Sequence, residues 1–163
     1  MDRRASGGVE DPLARFELTF LLGMGFQLLL NEFSRRLAEA GYAELRPVHG
    51  MAFQALRGHG ATSSELAERL GVTKQAAGQL VKELEQRGYV RREAHPAGGR
   101  RRLVVLTDAA VRHLEVAGGI LRELEAEAAQ RAGRDDLDAL RGELARLIHG
   151  MTGEALPPLR PVW

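Results

Sequence analysis

The segment "ATSSELAERLGVTKQAAGQLVKELEQRG" predicts two short helices joined by a tight turn, and it constrains the fold more than any other stretch. Thr62 and Glu65 have the spacing of a capping box at a helix start, and Gly71 is the residue type that ends a helix. Thr73 caps the second helix. The apolar positions of that helix recur at helical spacing and are Ala77, Leu80, Val81 and Leu84. These features together predict a helix-turn-helix.

The stretch that follows, "YVRREAHPAGGRRRLVVLTD", predicts a β-hairpin. Its composition favours strands at 89–93 and 102–106, joined by a loop at 95–99. Gly98 and Gly99 supply the positive φ angles that a tight turn needs.

The hairpin concentrates positive charge. Six arginines and one acidic residue, Glu93, lie between Arg87 and Arg102, which gives this stretch a net charge of +5, whereas the whole chain carries only +1. Arg100, Arg101 and Arg102 stand together at the tip, where guanidinium groups suit the minor groove of DNA and its phosphates. The alternative is a solvated charged loop or a charge guard on an edge strand.

Long helical patterns flank this region. The first runs from Leu13 to about Gly41 and has no charge between Glu17 and Glu32. A helix this apolar must be covered on most sides, either by the core of its own chain or by a second subunit. A shorter helix follows Pro47 and ends near the next glycines.

The pattern is also helical beyond the hairpin. Thr107 or Asp108 caps a long helix to about Arg131, and a last helix covers about 135–149. The order of elements predicts a mostly α protein with one small antiparallel hairpin.

The exposed side of the second helix of the helix-turn-helix predicts the chemistry of the site. Its polar stripe consists of Gln75, Gln79, Lys82 and Gln86. Amide side chains bind adenine edges, and lysine reaches guanine or phosphate, so the stripe suits the major groove. The phosphate-binding candidates at the two helix N-termini are Ser63, Ser64, Thr73 and Lys74. An ordinary solvated helix face is the alternative.

Several classes of protein are disfavoured. The chain has no cysteine, which excludes disulfides and thiolate zinc sites, and its histidines lack the close spacing of a zinc site, so we expect no metal and no cofactor. Catalytic motifs are missing from the sequence, so we expect no catalytic residues and no enzyme. The apolar run 18–30 is shorter than the about 20 residues of a membrane span, and we expect a cytoplasmic protein.

The run from Thr62 to Ala110 resembles the winged-helix core of the multiple-antibiotic-resistance regulator (MarR) family. The stretches "ELAERLGV", "LVKELEQRGYVRR" and "LVVLTDAA" carry the likeness, and the flanking helices match the layout of the family in pattern. The resemblance implies a mostly α fold, a winged helix-turn-helix with long N- and C-terminal dimerisation helices and a small antiparallel β-wing.

The resemblance implies dimerisation helices at 13–44 and 109–150 and a winged helix-turn-helix DNA-binding domain at 45–108. The composition adds a flexible, polar and Gly-rich arm at 1–12 and a Pro-rich tail at 151–163.

The function that the resemblance implies is transcription regulation. We expect a homodimer that binds a pseudo-palindromic operator in double-stranded DNA, acts as a repressor, and is released by a small aromatic or anionic effector. The alternatives are a winged helix that binds a protein partner and an architectural protein that reads only DNA shape. The effector crevice of the family lies between the dimer helices and the winged helix. Its candidate residues, which are otherwise ordinary core, are Phe20, Met24, His49, Met51 and Phe53.

Two positions depart from the family pattern. Gly98 stands where the family commonly has an acidic residue, two places before the arginine that matches Arg100, so the wing is expected to be looser. Gln79 stands where the family often has arginine, so a different base preference is expected.

Overall fold

The computed structural model describes residues 11–98 and 101–153, and the chain divides into two compact units, residues 1–32 and residues 33–163. The helices are α1 (Leu18–Leu37), α2 (Pro47–Leu56), α3 (Ser63–Leu70), α4 (Lys74–Gln86), α5 (Asp108–Ala132) and α6 (Arg134–Thr152). The strands are β1 (Val90–Ala94) and β2 (Arg102–Leu106). The predicted mostly α architecture with one antiparallel hairpin is confirmed.

Helix α1 begins later than the sequence pattern predicts. A 3-10 turn at Pro12–Arg15 comes first, and the Asp11 carboxylate accepts a hydrogen bond from the backbone N–H of Leu13 at 3.0 Å. The backbone is extended at Phe16 (φ −84°, ψ 143°), so the α-helix starts only at Leu18. Of the arm predicted at 1–12, residues 1–10 lie outside the described residues.

Apolar side chains cover the outside of α1 and α6. In α1, Phe20 is 61% exposed and Leu28 is 71% exposed. In α6, Leu140 is 52% and Met151 is 79% exposed, and no described residue of α6 is buried. Surfaces of this kind mark sites where another surface packs. None of the described helices is long and apolar enough to cross a membrane.

The main core lies in the winged-helix region, where helices α2, α3 and α4 pack on the hairpin. Its fully buried side chains include Phe53, Leu56, Leu66, Leu84 and Val104. Burying an apolar side chain of this size contributes about 1.5–3 kcal/mol, so this core fixes the positions of the helices that carry the candidate site.

The turn between α3 and α4 forms as predicted. Thr62 and Glu65 make both hydrogen bonds of the capping box, because the Glu65 N–H donates to Thr62 Oγ1 (3.2 Å) and the Thr62 N–H donates to Glu65 Oε2 (2.7 Å). Gly71 adopts the left-handed conformation (φ 62°, ψ 33°) and ends α3. Thr73 Oγ1 accepts a hydrogen bond from the Ala76 N–H at 3.1 Å and begins α4.

The hairpin is an antiparallel pair in which Val90 lies opposite Leu106 and Ala94 opposite Arg102. Its base is joined to the segment before α3, since the backbones of Ala61 and Val104 exchange two hydrogen bonds. The preceding residue, Gly60, has φ +71°, and a Cβ there would lie 2.4 Å from the Val104 carbonyl oxygen. Only glycine fits this close approach.

The N-cap predicted for α5 lacks its side-chain hydrogen bond. Thr107 occupies the N-cap position of α5, but its side chain makes no capping hydrogen bond to the helix. Its hydroxyl instead donates to the carbonyl oxygens of Gly88 (2.7 Å) and Tyr89 (3.1 Å). Thr107 therefore ties the end of the hairpin to the exit of α4.

A second, smaller core lies on α5. Leu37 packs there with Ala117, Ile120 and Leu124. Beside it the guanidinium of Arg36 lies 2.8 Å from the carboxylate of Glu127. This cluster fixes α5 against the C-terminal end of α1.

Candidate nucleic-acid interface

Helix α4 has one buried and one exposed side. The predicted buried positions are confirmed, and they are Ala77, Leu80, Val81 and Leu84. The side chains of the predicted polar stripe are all exposed, and they are Gln75, Gln79, Lys82 and Gln86. The stripe therefore faces away from the core, as contact with a groove of DNA requires.

The predicted phosphate-binding residues lie at the starts of α3 and α4. Ser63 is half-buried and Ser64 is exposed in the first turn of α3. Thr73 and Lys74 are both exposed at the start of α4. The lone pair of the Thr73 hydroxyl is used in capping, but its hydrogen remains able to donate.

The wing tip is described in part. Gly99 and Arg100 lie outside the described residues. Arg101 and Arg102 are exposed, and neither forms an ion pair with another described residue. His95 has a structural role in the loop, because its Nδ1 accepts a hydrogen bond from the Ala97 N–H at 3.1 Å.

Three other arginines of the basic stretch are paired with carboxylates. Arg91 lies 2.7 Å from Glu93, its near neighbour in β1. The other two bind acids of α4: Arg92 lies 3.1 Å from Glu85, and Arg87 lies 3.0 Å from Glu83. The net charge of +5 counted along the sequence therefore overstates the free positive charge, because α4 folds two carboxylates against it.

These contacts bear on the expected looseness of the wing. The Arg92–Glu85 ion pair joins β1 to α4, and the Ala61–Val104 hydrogen bonds hold β2 at its base. Gly98 has φ +74°, a turn conformation that glycine adopts without strain. The base of the wing is thus braced by contacts other than the acid that Gly98 replaces.

A further polar network went unpredicted. Glu83 binds Arg46 as well as Arg87, and Glu44 accepts a hydrogen bond from the Tyr89 hydroxyl at 2.7 Å. Burial and this hydrogen bond raise the pKa of Tyr89 to about 12. The spacing of Glu83 and Arg87, four residues apart on one helix, was a readable signal for that pair. The contacts of Glu83 with Arg46 and of Tyr89 with Glu44 depend on the tertiary fold, and no spacing in the sequence predicts them.

Known proteins resemble this chain in its winged-helix region. Residues 44–101 match the MarR family. The matched segment is the winged-helix region of this chain, from the residues before α2 to the wing. No curated protein matches the chain.

Solved structures share the fold over most of the chain. MepR, a transcription regulator of the Staphylococcus aureus multidrug efflux pump MepA, has a TM-score of 0.68 at 18% identity, over 83% of this chain and 99% of its own. The MepR–DNA complex gives 0.65 at 18% identity, over 83% and 98%. A probable transcriptional regulator from Pseudomonas aeruginosa gives 0.64 at 27% identity, over 81% and 97%.

The chain contains a cavity of about 680 Å³ between the end of α2, the base of the wing and α5. Its apolar lining includes Val105, Leu106, Val111 and Leu114. Its charged lining comprises Arg57, Arg91, Glu93, Glu115 and Arg122. Among the described residues, Arg57 and Arg122 form no ion pair, so two guanidinium groups without a carboxylate partner border this space.

None of the five predicted effector residues lines this cavity. His49 and Phe53 are 0% exposed and lie on the side of α2 that faces the core. Met51 is half-buried against that core. Phe20 and Met24 belong to the unit that ends at residue 32, where Phe20 is mostly exposed and Met24 half-buried. The assignment of these five residues to an effector crevice between the dimer helices and the winged helix stays a prediction.

Two histidines of the described residues, His49 and His113, are buried. The His113 ring is 2% exposed and makes edge contacts with the rings of Tyr42 and Phe53, at centroid distances of 4.8 and 5.3 Å. No group of the described residues makes a hydrogen bond with its Nδ1. Burial lowers the pKa of His113, and burial likewise lowers that of His49. Within the described part of the chain, no group of three histidine or carboxylate side chains has the arrangement of a metal site.

Proposed function

We propose that this protein is a sequence-specific regulator of transcription that binds double-stranded DNA and acts as a repressor. The exposed glutamine–lysine stripe of α4, directly opposite the buried face of the same helix, is the observation that supports it best. The MarR-family match over 44–101 and the likeness in fold to a MepR–DNA complex support the same function.

In this proposal α4 enters the major groove. Gln75 and Gln79 bind base edges through their amides, and Lys82 reaches guanine or phosphate. Phosphates bind at the N-termini of α3 and α4, through backbone N–H groups, the hydroxyls of Ser63 and Ser64 on α3, and Thr73 and Lys74 on α4. The arginines at 100–102 lie along or in the adjacent minor groove.

The proposed active form is a homodimer. The exposed apolar side chains of α1 and α6 favour a second copy as the surface that covers them. A two-fold dimer presents two copies of α4, so its operator is a pseudo-palindrome with half-sites about one helical turn apart.

The proposed effector is a small organic anion with an apolar or aromatic body. The cavity between α2, the wing and α5 offers the guanidinium groups of Arg57 and Arg122, which have no carboxylate partner among the described residues, beside an apolar wall. A carboxylate bound there is held by charge-assisted hydrogen bonds. The wing residues Arg91 and Glu93 also border the cavity, so a bound anion competes for Arg91 and alters the base of the wing. MepR has been solved with ethidium bromide bound, which supports a small-molecule ligand for this fold.

The function is binding without catalysis, and we place the protein in the cytoplasm with the DNA that it regulates. Selection from random-sequence duplexes at about 150 mM salt tests the proposal. Recovery of an inverted repeat supports a dimeric, sequence-reading regulator. Retention of DNA without a motif supports the architectural alternative, and no retention supports a protein partner; either result contradicts the proposed readout.

The salt dependence of binding is a second test. If the dimer neutralises roughly 6–10 phosphates, its affinity falls about 10³–10⁵-fold between 50 and 200 mM salt. A salt slope near zero contradicts the phosphate contacts.

A further inference from the structure

Glu83 lies on the flank of α4, between the buried face and the exposed stripe. Its Oε2 is 2.8 Å from Arg46 Nη2, and its Oε1 is 3.0 Å from Arg87 Nη2 and 3.5 Å from His49 Nε2. Arg46 precedes α2, and His49 lies in the first turn of α2. One carboxylate therefore joins the recognition helix to the start of another helix.

The contacts of His49 fix which nitrogen carries its proton. The ring is completely buried, and its Nδ1 accepts a hydrogen bond from the Arg46 N–H at 3.1 Å. In the neutral ring the hydrogen is then on Nε2, which points to Glu83. Arg46 Nη2 lies 3.2 Å from this Nε2. Both nitrogens lie beside the Glu83 carboxylate, at 2.8 Å for Arg46 and 3.5 Å for His49.

The network continues past the end of α4. Arg87 donates to the Glu44 carbonyl oxygen at 2.8 Å, and the Tyr89 hydroxyl donates to the Glu44 carboxylate. Partial burial acts to raise the pKa of Glu83, but His49, Arg46 and Arg87 outweigh it, and the pKa is lowered. Glu83 is accordingly ionised at neutral pH and attracts every group around it.

We propose that Glu83 is a positioning residue for DNA recognition, because it fixes the rotation of α4 about its own axis. This inference rests on the proposed function. The apolar contacts of Leu80, Val81 and Leu84 hold the helix on the core, but such contacts are not directional. Hydrogen bonds to a flanking carboxylate are directional, and rotation of α4 moves Gln79 away from the base edge it reads.

The charge of Glu83 separates this role from a direct DNA contact. A carboxylate on a helix that approaches DNA repels phosphates, so its loss by simple electrostatics strengthens binding to any sequence. A positioning role predicts the opposite for the operator, since specific contacts depend on geometry. Specific and non-specific affinity should therefore change in different directions.

The test uses the full-length protein and the operator recovered by selection, with a scrambled duplex for non-specific binding. Glu83→Gln should lower the ratio of operator to scrambled affinity about tenfold, the size of one mismatched base pair. It should also strengthen binding to the scrambled duplex. Glu83→Asp keeps the charge but shortens the reach, so it should lower the ratio without that gain.

Glu68→Gln is the matched control, because Glu68 is exposed on α3 and its loss changes the net charge equally. Its ratio should equal that of the wild type. An unchanged ratio in both Glu83 variants overturns the inference, as does a parallel loss of both affinities together with a lower Tm. Failure of the wild type to select any motif instead overturns the proposed function itself.

Discussion

Helix α4 and the wing bring opposite chemistry to the same proposed DNA surface. The exposed stripe of α4 carries three neutral amides and one lysine, on a helix fixed by a buried face and the Glu83 network. The wing is rich in arginine, yet Arg91 and Arg92 are already bound to carboxylates. Charge counted along a sequence therefore overestimates the free charge of a surface, whereas geometry decides what a neutral helix face can read.

The stability of the wing depends on a close backbone contact at its base. A methyl group at Gly60 would meet the Val104 carbonyl oxygen at 2.4 Å, where β2 joins the segment before α3. Gly60→Ala should therefore lower the free energy of unfolding by about 2–4 kcal/mol, from left-handed backbone strain plus overpacking. Chemical denaturation measures this loss.

Gly58→Ala is the control for the backbone term. Gly58 also has a positive φ, +84°, but a Cβ there meets nothing within 4 Å. It should cost only about 1–2 kcal/mol, the price of a left-handed alanine. Equal losses in the two variants would show that the contact at Val104 contributes nothing to the stability of the wing.

The free and the paired arginines of the wing should behave differently. Replacing Arg101 and Arg102 together with alanine should weaken binding to all DNA sequences by about 10–100-fold, because charge-assisted contacts to phosphate are lost. The salt slope should fall by about 4, one for each of the four cations that the proposed dimer loses. Titration of labelled operator and scrambled duplexes at several salt concentrations measures both quantities.

The paired residues provide the comparison for that experiment. Arg91→Ala with Arg92→Ala removes the same formal charge, but those guanidinium groups are bound to Glu93 and Glu85. Its salt slope should fall by less than that of the tip variant. Identical slopes would mean that the ion pairs open on DNA and that the distinction between free and paired charge has no functional weight.

Much of the fold was predictable because its signals are local. The capping box at Thr62, the turn at Gly71 and the apolar period of α4 all appear within a few residues of one another. The late start of α1 was missed, since the apolar period continues through Phe16, where the backbone leaves the helix. Periodicity reports which side of a segment is apolar, and it is less informative about where the helix begins.

The candidate site was predictable only where one element carries it. The exposed stripe of α4 follows from helical spacing, and its four residues are exposed as expected. The Arg92–Glu85 brace and the contacts of Glu83 with Arg46 and His49 join separate elements. The cavity was missed for the same reason, because its lining comes from α2, the hairpin and α5.

Base reading by α4 should appear as a local change in sequence preference. Gln79→Ala should weaken the preferred operator about tenfold and relax selection at one or two base pairs, while the salt slope stays unchanged. Repeating the duplex selection with the variant measures the change. Uniform weakening across all sequences would assign Gln79 to the DNA backbone, and the contrast between a reading helix and a charged wing would be lost.

Acid should lower the stability of the helices that bury His49 and His113 before it affects the wing. His49, which holds Glu83, and His113 are both buried, and burial lowers the pKa of each ring. Below pH about 6.5, the ordinary value for histidine, the unfolded chain binds protons that the folded chain does not. Their contribution to stability is complete above that pH and is lost as the pH falls through the lowered folded values.

The smallest expected effect isolates one of these rings. His113→Phe keeps an aromatic ring against Tyr42 and Phe53 and removes a buried nitrogen that has no hydrogen-bond partner among the described residues. The free energy of unfolding, measured by denaturant titration between pH 7.5 and 5.5, should therefore fall less steeply with acid than in the wild type. The same substitution at exposed His59 controls for the loss of one histidine. A slope unchanged in the His113 variant would leave His49 as the acid-sensitive group, and α4, held through Glu83, would then be the element that low pH releases first.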